Sequence, residues 1–299
     1  DHRDLHSFPT RRSSDLFELQ LGLLYFVMLV LATVFITAAG YVINDYFDTR
    51  TDLVNRPQTV VVGKSVSRRM AIAIHMVLSA VGIFLGLLVA IKIGRPIFSL
   101  LFVLATGVLW FYSTTYKRQL IIGNLVVATL TGIVPLIPLI FEYPLFETYW
   151  EVIAIYQLKL HVMVYWVGGY ALFAFLLTFV REIIKDIEDF EGDTVYGRNT
   201  IPVHFGIKAS KIIASSLLMV TLIVLIFLFA GYMRFLPSGK FDYYTFIYLI
   251  VFILLPMFVL FMMLLLAQNK ADYHKASRLN KIIMLFGLLY TFVFRWLIL

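Results

Sequence analysis

Eight long apolar runs constrain this chain more than any other feature. They lie at Phe17–Ile43, Met70–Ile93, Pro96–Tyr116, Leu120–Phe141, Leu160–Ile183, Ser210–Tyr232, Tyr243–Ala267 and Ile282–Leu299. Each approaches or exceeds the roughly 20 residues that a helix needs to cross a bilayer core. None alternates with a period of two, and all are too long for barrel strands, so the runs read as helices. Composition agrees: 61% of the 299 residues are apolar and 14% charged, against about 25% charged in a typical soluble domain. A soluble globule of this kind would have to expose large apolar patches. The absence of cysteine excludes a disulfide framework and thiolate metal sites. The expected fold class is all-α, a polytopic transmembrane helical bundle with eight helices. The segment Glu142–Lys159, with Pro144 and several aromatics, reads as an interfacial helix.

Lysine and arginine set the orientation. Loops on one face carry 16 of them and loops on the other face five: Lys92, Arg95, Lys159, Arg234 and Lys240. By the positive-inside rule the first face is cytoplasmic. The net charge of +7 then reflects basic cytoplasmic loops, and no nucleic-acid partner is implied. Residues Asp1–Leu16, DHRDLHSFPTRRSSDL, are abruptly polar and lead straight into a full-length span, unlike a signal peptide. The expectation is a leader foreign to the gene, with one domain over residues 17–299.

Outside that leader there are eight aspartates, and six fall in two short stretches. The first, Asn44-Asp45-Tyr46-Phe47-Asp48-Thr49-Arg50-Thr51-Asp52, has the pattern NDxxDxxxD. The second, Asp186-Ile187-Glu188-Asp189-Phe190-Glu191-Gly192-Asp193, has the pattern DxxDxxxD. If the preceding helices continue, spacings of three and four put the carboxylates on one helical face. Such a face is destabilising unless cations neutralise it. Oxygen ligands without cysteine or clustered histidine point to Mg²⁺ or a similar hard ion, shared between a few carboxylates and substrate phosphates. An even number of helices separates the clusters, so both reach the same face. Basic residues surround them: Arg50, Arg56, Lys64, Arg68 and Arg69 after the first, Arg181, Lys185 and Arg198 around the second. A plain rim of charges at the membrane edge is the bland alternative.

Residues Gly40–Asp52 and Arg181–Pro202 resemble the paired aspartate motifs of the UbiA-type intramembrane prenyltransferases. Tyr112-Ser113-Thr114-Thr115-Tyr116-Lys117 resembles the family's tyrosine-plus-lysine motif, and Gly123-Asn124-Leu125 is similar as well. The resemblance runs over Phe17–Leu299. The REIxKDIEDxEGD form of the second motif is most like the branch that transfers geranylgeranyl groups to geranylgeranylglycerol phosphate. The resemblance implies nine helices; with eight here, the expectation is a chain lacking the first. It also implies Mg²⁺ held by Asp48, Asp52, Asp186, Asp189 and Asp193. Asn44, Asp48, Asp52, Asp189 and Asp193 would serve catalysis, while Arg56, Tyr112, Lys117, Arg181 and Lys185 would bind substrate. The reaction implied is transfer from a prenyl diphosphate to a prenylglyceryl phosphate hydroxyl or, alternatively, to an aromatic quinone precursor. The location implied is a prokaryotic plasma membrane, with the site facing the cytoplasm.

Other readings stand beside these. Intramembrane carboxylates also mark cation transporters, whose sites tend to lie near the bilayer midplane at broken helices. Tyr112 and Lys117 are equally what an interfacial tyrosine and a snorkelling lysine look like. The Gly82–Gly86 spacing reads as a close helix contact. Pro135, Pro138 and Pro256 read as kinks, and His75 and His161 as structural or interfacial. If the acceptor carries a phosphate, Arg56, Lys64, Arg68 and Arg69 are the cations expected to receive it.

Overall fold

The computed structural model of the chain describes residues 21–148, 160–235 and 241–298. Among these, regular structure is helical and no strand forms. The helices are α1 Leu23–Asn55, α2 Arg68–Lys92, α3 Leu100–Thr114 behind a 3₁₀ turn at Pro96–Ser99, α4 Ile122–Ile133 and α5 Leu136–Thr148. They continue as α6 Leu160–Glu188, the short α7 Phe190–Val195, α8 Ile201–Phe235, α9 Tyr243–Leu266 and α10 Lys270–Ile298. Among the described residues seven helical stretches are long and apolar enough to cross a membrane, and α4 with the start of α5, bent by 50° at their break, passes the same test only when the two are taken together. Pro135 sits in that break, where its missing N–H cannot continue the helix. Pro256 follows a π-helical turn at Leu249–Leu254 within α9, a local adjustment to the same missing donor. The chain is thus an integral-membrane helical bundle, as the apolar runs require. The expected leader lies outside the described residues, as does most of the expected interfacial helix, of which Glu142–Thr148 continues α5.

Two boundaries differ from expectation in a way that matters for the site. The first span does not end at Ile43: α1 runs on to Asn55, so the whole first aspartate stretch is helical. Likewise α6 passes Ile183 and ends at Glu188. Polar residues can prolong a helix where it leaves hydrocarbon, because its backbone bonds are internal and one face meets a polar cavity. The second triplet is not on one unbroken helix. Asp186 lies on α6, Asp189 stands at the break, and Asp193 is on α7.

Two apolar clusters make up the packed interior. One gathers Leu29, Ala32 and Ile36 of α1 with Val89, Phe102 and Phe141. The other joins Leu177, Val180 and Ile184 of α6 to Leu218, Met257, Leu260 and Ile283. Helix α6 therefore has two working faces. Leu177, Val180 and Ile184 turn one toward the second cluster, while Glu182, Lys185, Asp186 and Asp189 turn the other into the cavity. Asn280 of α10 donates to the Leu177 carbonyl at 2.8 Å, pinning α10 to α6. His75 is buried, its Nδ1 3.0 Å from the Ala39 carbonyl oxygen, which fits the structural reading.

Lipid offers little hydrophobic drive between helices, so close van der Waals packing through small residues must hold them. Gly82 and Gly86 do this for α2. A Cβ would fall 2.8 Å from Ile36 at Gly82, and 2.2 Å from the Phe102 ring at Gly86. Gly86→Leu therefore forces α2 away from α3, with an expected loss of about 1–3 kcal/mol, read as a lowered melting temperature in detergent. An unchanged melting temperature would contradict this packing.

Candidate active site

The cavity, about 170 Å³, lies where the ends of α1 and α6 meet α7 and the α3–α4 connection. Both aspartate triplets line it: Asp45, Asp48 and Asp52 from α1, and Asp186, Asp189 and Asp193 from α6 and α7. Asn44, Arg56, Tyr112, Lys117 and Lys185 line it too. The spacing argument thus brings the expected residues to one place, at helix ends.

Basic side chains clamp the carboxylates. Arg198 donates to Asp48 Oδ1 at 2.6 Å, to Thr51 Oγ1 at 2.9 Å and to Asp193 Oδ1 at 3.3 Å. Lys117 donates to Asn44 Oδ1 at 2.9 Å and pairs with Asp48. Arg56 reaches both oxygens of Asp189 at 2.9 and 3.0 Å, and Glu188 at 3.4 Å. Asn124 donates to Asp186 at 2.7 Å. Asp45 and Asp52 face the cavity beside Lys185, with no direct ionic partner among the described residues.

Local geometry places each group. A Cβ at Gly123 would approach the Tyr116 carbonyl to 2.9 Å, so glycine lets α4 start against the α3–α4 turn and aim Asn124 at Asp186. A Cβ at Gly192 would fall 2.5 Å from the Asn55 side chain. Instead, the Gly192 N–H donates to Asn55 Oδ1 at 2.9 Å, and Asn55 Nδ2 donates to the Asp189 carbonyl at 3.2 Å. The end of α1 is thereby stitched to the α6–α7 break. Burial raises the Asp193 carboxyl above the usual range, with Arg198 opposing and Asp189 adding to the shift. Burial, then Lys185 and Arg198, pull the Lys117 ammonium well below the usual lysine range. Cations are crowded together here, and a polyanionic ligand relieves that crowding.

Among the described residues, no three acidic or histidine side chains come close enough to hold a metal ion by themselves. The expected five-aspartate ligand set is present in one cavity, but basic groups sit between its members. The all-oxygen donor set still suits Mg²⁺, which binds one or two carboxylates and takes its other ligands from water and phosphate.

Four outcomes depart from the sequence reading. Arg181 does not line the aspartate cavity; it donates to Glu182 Oε1 at 2.6 Å. Lys64 donates to the Pro57 carbonyl, Arg68 lies 4.3 Å over the Tyr46 ring, and neither lines the cavity. Of the basic loop expected to receive an acceptor phosphate, only Arg56 enters. Arg198, counted among the surrounding basics, proves to be the central buried bridge between the two triplets. No spacing rule marks it, because its partner Asp48 is 150 positions away. Glu182, Thr51 and Asn55 were likewise invisible before the fold brought them in.

The fold and site define a polytopic membrane protein whose polar cavity gathers paired acidic motifs at one end of a helical bundle. The UbiA prenyltransferase family matches residues 17–289. The chain belongs to that family. It is 30% identical over 272 residues to the digeranylgeranylglyceryl phosphate synthase of Methanosphaera stadtmanae, covering 90% of this chain and 86% of that one. Identity is 35% over 188 residues to the synthase of the same name from Thermococcus sibiricus, where the match spans 62% of this chain and 58% of the relative. A solved structure described as a digeranylgeranylglyceryl phosphate synthase in membranes superposes with a TM-score of 0.60 at 26% identity, covering 90% of this chain and 85% of that one. A UbiA homologue from Archaeoglobus fulgidus, solved with DMAPP and Mg²⁺, gives a TM-score of 0.54 at 14% identity, covering 90% and 88%. At that identity only the fold is shared.

Arg198 is 8% exposed and serves two carboxylates. Arg198→Gln strands Asp48 and Asp193 as buried charges lacking that partner, so a loss of about 3–5 kcal/mol is expected. The loss is read as reduced thermal stability in detergent; stability equal to that of the unsubstituted chain would contradict the clamp.

Proposed function

We propose that this chain transfers a prenyl group from a prenyl diphosphate to the hydroxyl of a prenylglyceryl phosphate, with Mg²⁺ as cofactor and the site open to the cytoplasm. The carrying observation is that two aspartate triplets and four cations, Arg56, Lys117, Lys185 and Arg198, line one cavity. The acidic groups suit metal-bound phosphate, and the cations suit the phosphate oxygens themselves. The synthase names of relatives at 30% identity and above support the acceptor class.

Asp48, Asp52, Asp186, Asp189 and Asp193 are the residues that would hold Mg²⁺. The ion would neutralise charge gathering on the departing diphosphate. Lys117 and Arg198 would bind the diphosphate oxygens and stabilise the negative charge as the allylic C–O bond breaks. Such stabilisation of developing charge is commonly the largest catalytic contribution. The diphosphate leaves with the electron pair, the acceptor oxygen bonds to the allylic carbon, and the hydroxyl proton passes to the departing diphosphate. Asn44 and Asn124 orient Lys117 and Asp186 by their hydrogen bonds. The surrounding apolar bundle would help to exclude water from the reacting carbon.

Asp48→Asn and Asp189→Asn are each expected to lower turnover by roughly a hundred-fold or more, as for loss of a preorganised charge-stabilising group. EDTA is expected to silence the reaction and Mg²⁺ to restore it. The assay is mass-spectrometric detection of the ether product in membranes supplied with a prenyl diphosphate. Near-normal turnover in either variant would remove the aspartates from the mechanism. Prenylation of hydroxybenzoate-type or dihydroxynaphthoate acceptors, with none of the glyceryl phosphate, would shift the acceptor class to aromatics.

Orientation has its own test, since the chain contains no cysteine. Gln58→Cys, in the loop after α1, is expected to react with an impermeant thiol reagent only from the cytoplasmic side. Lys92→Cys, at the far end of α2, is expected to react only from the opposite side. Reversed labelling would overturn the orientation.

A further inference from the structure

The helices that carry the aspartates end beside one another, and α10 touches both ends. Helix α1 stops at Asn55 and α6 at Glu188. The last carbonyls of a helix have no partner within it and carry the negative end of its dipole, so a cation is favourable there. Lys270, the first residue of α10, donates to the Asn55 carbonyl at 2.7 Å. His274 brings its Nδ1 to 3.0 Å from Glu188 Oε1. Lys270 and His274 are four residues apart and so share one face of α10.

Both contacts feed into one network. The Asn55 side chain holds the Gly192 N–H and the Asp189 carbonyl, so Lys270 grips the residue from which the α6–α7 break hangs. Glu188 is buried and meets two basic groups from other helices, Arg56 at 3.4 Å and His274. Arg56 in turn holds Asp189. From α10, then, Asp189 is reached by two routes, one through Asn55 and one through Glu188 and Arg56. Farther along α10, buried Asn280 fixes the helix against the Leu177 carbonyl of α6. The turn that bears Lys270 and His274 therefore has a firm base.

Stability alone does not account for these contacts. The His274 side chain is 53% exposed, and exposed pairs of this kind contribute little to folding. A lysine and a histidine that merely marked the membrane edge would face water. These two turn onto the last residue of each aspartate-bearing helix. Neither lines the cavity, so each acts through Asn55 or Glu188. We propose that Lys270 and His274 are positioning residues for the transfer reaction: they set the ends of α1 and α6 at the separation at which one metal-bound diphosphate meets both aspartate triplets. This deepens the proposed function and rests on it, although the placement of the helix ends is readable without turnover.

The test has a kinetic and a spectroscopic arm, both on the full chain in nanodiscs. Lys270→Ala and His274→Ala are each expected to lower kcat about ten-fold or more, since small misplacements of reacting groups are costly in rate. The acceptor KM and the melting temperature should stay nearly unchanged, while the Mg²⁺ concentration for half-maximal rate rises. Lys270→Arg keeps a donor for the Asn55 carbonyl, and His274→Asn keeps an amide where the imidazole has Nδ1; both should restore kcat. Because the chain has no cysteine, spin labels can be placed at the exposed positions Arg50→Cys on α1 and Glu191→Cys on α7. Electron paramagnetic resonance should show a broader interspin distribution once Lys270 and His274 are both replaced by alanine. The proposal is overturned if kcat per folded molecule equals that of the unsubstituted chain, if the interspin distribution does not change, or if the Arg and Asn variants are as slow as the alanine ones. A distribution that broadens in a chain forming no ether product would uphold the positioning of the helix ends and remove the proposed reaction.

Discussion

A single buried guanidinium holds the two acidic halves of the site together. Arg198 spans Asp48 on α1 and Asp193 on α7, residues that would otherwise repel across the cavity. Charge removed from water is costly unless paired with good geometry, and here each carboxylate finds a nearby donor. Lys117 adds a second tie to Asp48, and Arg56 binds Asp189. The helix ends are thereby fixed relative to one another by ion pairs, beside the buried apolar side chains of Ile187 and Ile201. Below them, the two apolar clusters supply the packing.

The same clamp lets six aspartates line one cavity. Basic side chains occupy the positions between carboxylates and keep them from one another. The arrangement is satisfied yet strained in charge, since Lys117 feels Lys185 and Arg198 as well as its acidic partners. A metal-bound diphosphate brings both signs of charge at once. It offers cations to the aspartates and oxygens to the basic groups, so partners can be exchanged without leaving a bare charge in a buried site.

Much of this was legible in the residues, and the illegible part has a physical pattern. The apolar runs marked every span, because a bilayer imposes a length on them. The three- and four-residue spacings of Asp45, Asp48 and Asp52 and of Asp186, Asp189 and Asp193 marked the site, because helices repeat at that interval. Hydropathy placed the ends of α1 and α6 too early, since it registers where hydrocarbon stops rather than where hydrogen bonding stops. The break at Asp189 was hidden because the motif keeps helical spacing across it. Arg198 could not be ranked above other basic residues: its partners Asp48 and Thr51 lie 150 and 147 positions away, on α1. Arg181, expected to bind substrate, donates to Glu182 and does not line the cavity, because motif order along a chain does not say which way a side chain turns.

The central claim is that Lys117 and Arg198 hold the aspartates only until a metal-bound diphosphate takes their place. An experimental structure with Mg²⁺ and an unreactive prenyl thiodiphosphate tests this most directly. The account predicts phosphate oxygens on Lys117 and Arg198, Mg²⁺ between the phosphates and members of both aspartate triplets, and loss of the Lys117–Asp48 pair. A diphosphate bound away from this cavity, with the Arg198 bridge and the Lys117–Asp48 pair unchanged, would contradict it.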